Sequence, residues 1–477
     1  MKYLFYSFLI GAMSLLFMSS SCNDEMMDMT IPMMEEDPPA DPMPAITFPS
    51  GPYYAGCPID ITLSAIDGAT LMGSWSDGSS QNTSGSRIFD VPGSYTLTLE
   101  ATIGDRTEEV QRTFTVVEQE TFSEVFQQDD SFTRLHKLLP LANGGFVGYG
   151  DYCSTAWPDG SCRVRGFLVL WYNADGTIRT KRAFSGNATT GVGFTARAIT
   201  PTADGNVAVA YERVPPNGDG LIVGCLMKLP EMGAVMWNAS LESTWDVHPR
   251  ALLETTDRKF VIGGYARRQQ NPIARAGMYF FRADGTHIEN IPFGELNSDS
   301  RIERLVQKGP NEVIGMMVFG NSMRVANSLN RSVSDLQLGG YTPAALLKSS
   351  GDEALAVSTN GQQVSVLRLG SAGQVVARRT ITLSDVFLYN ATLLDNGNIL
   401  VSGKKELGGT DYGFLAEITP QAELVWEKRR TRARSLFRGA QPTDDCGLFA
   451  VGFTDRPAAS NSNNEGYFIK LKPKGEF

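Results

Sequence analysis

Histidine is nearly absent from these 477 residues: there are three, His136, His248 and His287, far apart in the chain. None has the close partner that a metal pair needs, so no metal and no cofactor is expected. The chain also lacks a Gly-x-Ser-x-Gly elbow and a glycine-rich loop able to cradle phosphate, and no catalytic residue can be nominated. After the first twenty residues no apolar run is long enough to cross a bilayer. Nor is there an excess of positive charge. The net charge is −10, and seven of the acids (Asp24, Glu25, Asp28, Glu35, Glu36, Asp37, Asp41) lie in one stretch without a base. With these and Lys2 set aside, residues 45–477 carry −4, which gives no global bias toward nucleic acid.

What is present begins with Lys2 and an apolar run from Tyr3 to Met18, followed by Ser19-Ser20-Ser21-Cys22. A basic start, a short apolar core and small residues before a boundary describe an export signal. With its boundary against a cysteine, the segment resembles a bacterial lipoprotein signal, residues 1–21, whose removal leaves Cys22 as the lipid-modified first residue. Ser19 stands where that family usually has leucine. Asn23-Asp24-Glu25 resembles the surface-export signal of Bacteroidetes lipoproteins. The resemblance implies an outer-membrane, lipid-anchored protein facing the cell exterior. Residues 22–44, rich in acid, methionine and proline, read as a tether: charge repulsion and proline stiffness keep such a segment extended.

Residues 45–118 alternate apolar and polar at Ile59-Asp60-Ile61-Thr62-Leu63, Tyr95-Thr96-Leu97-Thr98-Leu99 and Thr113-Phe114-Thr115-Val116, the pattern of a small β-sandwich. Ser74-Trp75-Ser76-Asp77-Gly78 and Val91-Pro92-Gly93-Ser94-Tyr95 resemble a PKD domain, an immunoglobulin-like module of extracellular proteins; the resemblance implies a spacer with Trp75 in its core.

From residue 119 onward one unit recurs: strand, tight turn, strand, loop, strand, turn, strand, as in residues 390–426. Third strands align on the following turn, so that Leu170, Met227, Tyr279, Leu367, Ala416 and Ile469 fall in one column and Tyr172, Leu229, Phe281, Leu369, Ile418 and Leu471 in another. First turns lie near Gly144, Gly205, Asp257, Pro310, Gly351, Gly397 and Gly447. The expected fold class is therefore all-β, with the sandwich followed by a β-propeller at 119–477. Seven blades are counted, with six or eight open because 323–329 makes a poor third strand. The last repeat ends one strand short, and residues 120–126 alternate correctly to supply it. Asp-Gly pairs at Asp175, Asp204 and Asp284 are what tight turns require and do not call for calcium.

Export permits disulfides. Cys153 and Cys162, in one polar loop, are the pair to connect; Cys225 sits in a strand pattern, and the state of Cys57 and Cys446 is open. Turns on one face are short, whereas 150–165, 212–220, 266–276, 404–411 and 454–465 read as long loops on the other, the usual place for binding. That face collects Tyr152, Trp157, Trp245 and Tyr265, rings suited to sugars or to a protein partner. Arg197, Arg250, Arg304 and Arg434 open innermost strands and could converge on the axis to attract carboxylates or sulfates, unless each pairs with an acid of its own or a neighbouring blade. The leading expectation is a non-enzymatic surface platform for polysaccharide. A protein scaffold of an outer-membrane complex comes second, and a propeller-based lyase or hydrolase third.

Overall fold

The computed structural model describes residues 43–475 apart from 65–66, 127–131, 157–161, 188, 217–219, 242–243, 269–272, 295–298, 350–352 and 456–463. Cys22 and Trp157 therefore lie outside the described residues. Regular structure among the described residues is almost wholly strand.

Residues 45–117 form two sheets, one of three strands and one of four. The period-two pattern sends Ile59 and Ile61 from the first sheet, and Trp75, Leu97, Leu99, Phe114 and Val116 from the second, into one apolar cluster. Trp75 is 3% exposed and is a core residue.

The remainder is a β-propeller of four-stranded antiparallel blades, named here by the first residue of the innermost strand. The Thr133 blade contains Thr133–Pro140, Phe146–Ala156, Cys162–Tyr172 and Ile178–Phe184. The Gly193, Asp246 and Ser300 blades repeat this order. The next two share a single bent strand, Val375–Leu393, whose first half closes the Thr342 blade and whose second half opens the following one. Tight turns between first and second strands place a left-handed residue at the same position, glycine at Gly144, Gly205 and Gly397, because only glycine adopts that backbone without a Cβ penalty.

In the last blade Ser435–Pro442, Leu448–Asp455 and Asn464–Leu471 are completed by Phe122–Phe126, in register from Gly466↔Phe126 to Lys470↔Phe122. The ring is closed by packing as well. Phe449 and Phe468 of the last blade share a cluster with Phe146 and Tyr172 of the Thr133 blade, with Tyr172 and Phe449 ring centroids 5.0 Å apart.

Two expectations change. Residues 404–411 are not a long loop, since Ile399–Leu407 and Thr410–Ile418 pair throughout and turn at Gly408-Gly409, both with positive φ. Residues 322–327 do make a third strand, with Met323 and Val325 buried, and it too follows a two-residue turn. The face opposite the short turns is thus uneven.

Cys153 and Cys162 are joined, with Cα atoms 5.5 Å apart. A second disulfide links Cys57 of the N-terminal sandwich to Cys446 in the first turn of the last blade, Cα atoms 5.6 Å apart across 389 residues of sequence. Cys446 has φ 62° and stands where three sister turns carry glycine and the Asp246 blade carries Arg258. Around it Gln119 donates to the Asp445 carbonyl and Lys472 pairs with Glu118. Cys225 is free and buried in the core.

Candidate functional site: the axial channel

Each innermost strand slips by one residue against its neighbour at the same point. The skipped residues are His136, Arg197, Arg250, Glu303, Ala344, Tyr389 and Arg438. A bulge of this kind re-aims one side chain and breaks strict alternation. All but Ala344 line a channel of about 660 Å³ on the propeller axis. The residue after the bulge is often small (Ala198, Ala251, Ala345), which leaves the channel open, but it is Lys137 in the Thr133 blade and Arg304 in the Ser300 blade. One ring therefore collects Lys137, Arg197, Arg250, Arg304 and Arg438, with Glu303 as its one lining carboxylate.

The partners of these cations decide what the channel can do. Glu303 is held by Arg301 at 2.6 Å. Arg197 is neutralised by Glu212 at 2.7 Å, and Glu212 also accepts from His248 Nδ1 at 3.0 Å. Burial by itself would raise the Glu212 pKa, but those two partners hold it below the usual carboxylate range. His136 is paired with Asp151 at 2.8 Å. By contrast, among the described residues no carboxylate lies at ion-pair distance from Lys137, Arg250, Arg304 or Arg438. Arg304 donates to three backbone carbonyls, of Ala344 at 2.7 Å, Glu303 at 2.8 Å and Tyr389 at 3.0 Å, and so fills the place left by the short side chain of Ala344. Arg438 lies 4.0 Å from the Tyr389 ring centroid, and its Nε is buried without a partner, as are those of Arg197 and Arg250. Burial, with Arg304 nearby, pushes the Lys137 ammonium down to about 8. Unpaired, partly desolvated guanidinium groups in a concave site attract anions, and carboxylates or sulfates match the planar donor fork of arginine.

The sequence candidates therefore separate. Arg197, Arg250 and Arg304 reach the channel; the first is neutralised and the third is taken up by backbone. Arg434 does not reach it. It lies exposed in the turn before Ser435–Pro442, and Arg438, at the bulge inside that strand, holds the channel position of the blade. Tyr265 is half-buried; its ring stacks on His248 at 4.5 Å and its hydroxyl accepts from Arg250 Nη2 at 3.4 Å, so it positions both. Tyr152 is 1% exposed and bonds Ser185 at 2.7 Å; it is core, since the strands carrying it continue where a loop was expected. Trp245 lines a separate groove. Lys137, Arg438, Tyr389 and Asn390 went unrecognised, although Phe437-Arg438-Gly439-Ala440 repeats the apolar-Arg-small-apolar pattern of Ala196-Arg197-Ala198-Ile199.

No protein-family model and no curated protein matches the chain. Among solved structures it is similar to virginiamycin B lyase from Staphylococcus aureus, at 12% identity and a TM-score of 0.49 over 74% of this chain and 100% of that one. A sialidase from Streptococcus pneumoniae gives 9%, 0.43, 87% and 88% in the same order. A quinoprotein alcohol dehydrogenase-like protein from Bacteroides thetaiotaomicron gives 10%, 0.39, 80% and 94%.

Proposed function

We propose that this chain is a non-enzymatic cell-surface lipoprotein of Bacteroidetes type, acylated at Cys22 and anchored in the outer membrane. Its PKD-like sandwich spaces a seven-bladed propeller from the membrane, and the propeller binds acidic polysaccharide through its axial channel. The observation that carries the ligand class is the set of cations without carboxylate partners, Lys137, Arg250, Arg304 and Arg438, around one cavity in a chain of net charge −10. Such a site favours a polyanion over a neutral glycan and does so less at high salt.

Arg250 and Arg438 are the residues to change, because Arg304 supports backbone. The Arg250→Gln/Arg438→Gln variant should fold normally and lose at least roughly tenfold in affinity for polygalacturonate or a sulfated glycan, since each charge-assisted bond contributes about 1.5–3 kcal/mol. Affinity electrophoresis reads this directly. Equal retardation of wild type and variant would leave these arginines as structural, and release of shortened sugar by wild type would make the protein a lyase or hydrolase. For the anchor, Cys22→Ser should move the protein from the detergent phase to the aqueous phase; a variant that stays with the membrane is anchored by other means.

A further inference from the structure

The second large concavity lies on the outer side of the ring, where Ser240, Leu241, Thr244, Trp245 and Val247 meet the two outer strands of the Asp246 blade, Ala274–Phe281 and His287–Phe293. It measures about 600 Å³, within the roughly 300–1,000 Å³ of small-ligand sites. Its floor follows from strand alternation: Arg275, Gly277 and Tyr279 share one face, and their neighbours across the pairing, Asn290 and Pro292, share it too. In the column of Gly277 sister blades carry Leu168, Cys225, Ser365, Phe414 and Tyr467, all buried. Here there is no side chain, and the cross-strand partner, Gly264, has none either. Gly277 is what sets this blade apart, since the Gly264 position is glycine in three sister blades as well, at Gly150, Gly403 and Gly452.

Two of the groups around this gap, Tyr279 and Arg275, make no hydrogen bond or ion pair through their side chains. Tyr279 is 6% exposed, its ring packs in the core between blades, and its hydroxyl makes no hydrogen bond. The Arg275 guanidinium has neither ion pair nor hydrogen bond, and its Nε is buried. Asn290 accepts from His287 Nε2 at 2.7 Å, in the tautomer that protonates that nitrogen, which leaves its amide N–H groups to donate. Trp245 forms part of the wall, and Arg268 lies 5.1 Å from its ring centroid. Among the described residues that line the groove there is no carboxylate.

An unpaired guanidinium, a tyrosine hydroxyl without a hydrogen bond, a free amide donor and an indole, spaced along one groove, match a pyranose that carries a carboxylate. We propose that this groove binds a single hexuronate unit. Arg275 takes the carboxylate, Tyr279 and Asn290 take ring hydroxyls, and Trp245 contacts the sugar face. The choice of a sugar rests on the glycan-platform reading, while the groove and its anion preference do not. A chain held at both sites would gain from linkage, because the second contact is intramolecular.

The test uses the channel-disabled Arg250→Gln/Arg438→Gln protein, so that the groove is read alone. Calorimetry with trigalacturonate should show one site, with neutral galactotriose binding at least tenfold more weakly. Adding Arg275→Gln should weaken trigalacturonate at least tenfold and Tyr279→Phe several-fold. Gly277→Leu should abolish binding with the thermal midpoint unchanged, since an added Cβ meets nothing closer than 3.4 Å. Absence of binding in the channel-disabled protein, or equal binding by the Arg275→Gln and Gly277→Leu variants, overturns the proposal. Tighter binding of a peptide with a free C-terminal carboxylate than of trigalacturonate overturns the sugar assignment. If the channel variant retains full polysaccharide affinity while the groove variants lose it, the channel reading fails and the groove stands.

Discussion

Deleting residues 121–126 should lower the thermal midpoint by on the order of 10 °C and make the protein self-associate more than wild type. The segment supplies the outermost strand of the last blade, and with it the whole ladder from Phe122 to Phe126 against Asn464–Leu471. Phe122 packs against Phe449 and Phe468, with centroids 6.4 and 6.1 Å away, and the Lys181 ammonium lies 5.4 Å from the Phe126 ring. Two partly buried phenylalanines are worth roughly 3–6 kcal/mol together, which for a domain of this size corresponds to that shift. The freed edge of Asn464–Leu471 would then offer unpaired backbone to another molecule. Calorimetry and light scattering read the two effects; a deletion variant with the association state and midpoint of wild type would show that closure does not depend on this strand.

The second large effect is expected from Cys57→Ser. The disulfide spans 389 residues and ties the sandwich to the last blade beside the closure strand. Constraint of so long a loop in the unfolded chain predicts about 2–5 kcal/mol of stabilisation, and its loss should expose the junction at residues 118–121 to protease. A refinement isolates the role of the turn. Cys446 occupies a left-handed position, so Cys57→Ser/Cys446→Gly should be about 1 kcal/mol more stable than Cys57→Ser/Cys446→Ser. Equal stability of wild type and Cys57→Ser in oxidising buffer would show that the domains are held by their surfaces alone, through contacts such as Gln119 to the Asp445 carbonyl.

These elements differ in how far they could be read in advance. The blades were legible because every third strand uses one register, and Leu170, Met227, Tyr279, Leu367, Ala416 and Ile469 are all buried or nearly so in the same column. The closing strand was legible because alternation at 122–126 matched a gap in the last repeat. The Cys57–Cys446 link was not, since a bridge between domains leaves no local spacing; its one trace was a cysteine where three sister turns have glycine. Arg434 was chosen over Arg438 as the residue that opens the innermost strand, whereas that strand begins at Ser435 and turns Arg438, the residue at its bulge, to the axis; no periodicity records where a bulge falls. Tyr152 looked exposed because its neighbours are polar, yet strand pairing continues past them and buries its ring. The Tyr279 groove depends on what Gly277 lacks, and a missing side chain becomes visible only when neighbouring blades are superposed.

The claim that the axis is an anion site is tested most directly by the pH dependence of trigalacturonate affinity, measured at low salt in the Arg275→Gln background, where the outer groove is disabled. Burial and the adjacent Arg304 hold the Lys137 ammonium near 8 in the empty channel. A bound carboxylate favours the charged form and raises that value, so binding takes up a proton above pH 8. Affinity should be level from pH 6 to 7.5 and fall several-fold between pH 8 and 9.5. In Lys137→Met it should be weaker throughout and flat over the same range. Affinity that is independent of pH and salt in both proteins would contradict an anion site on the axis.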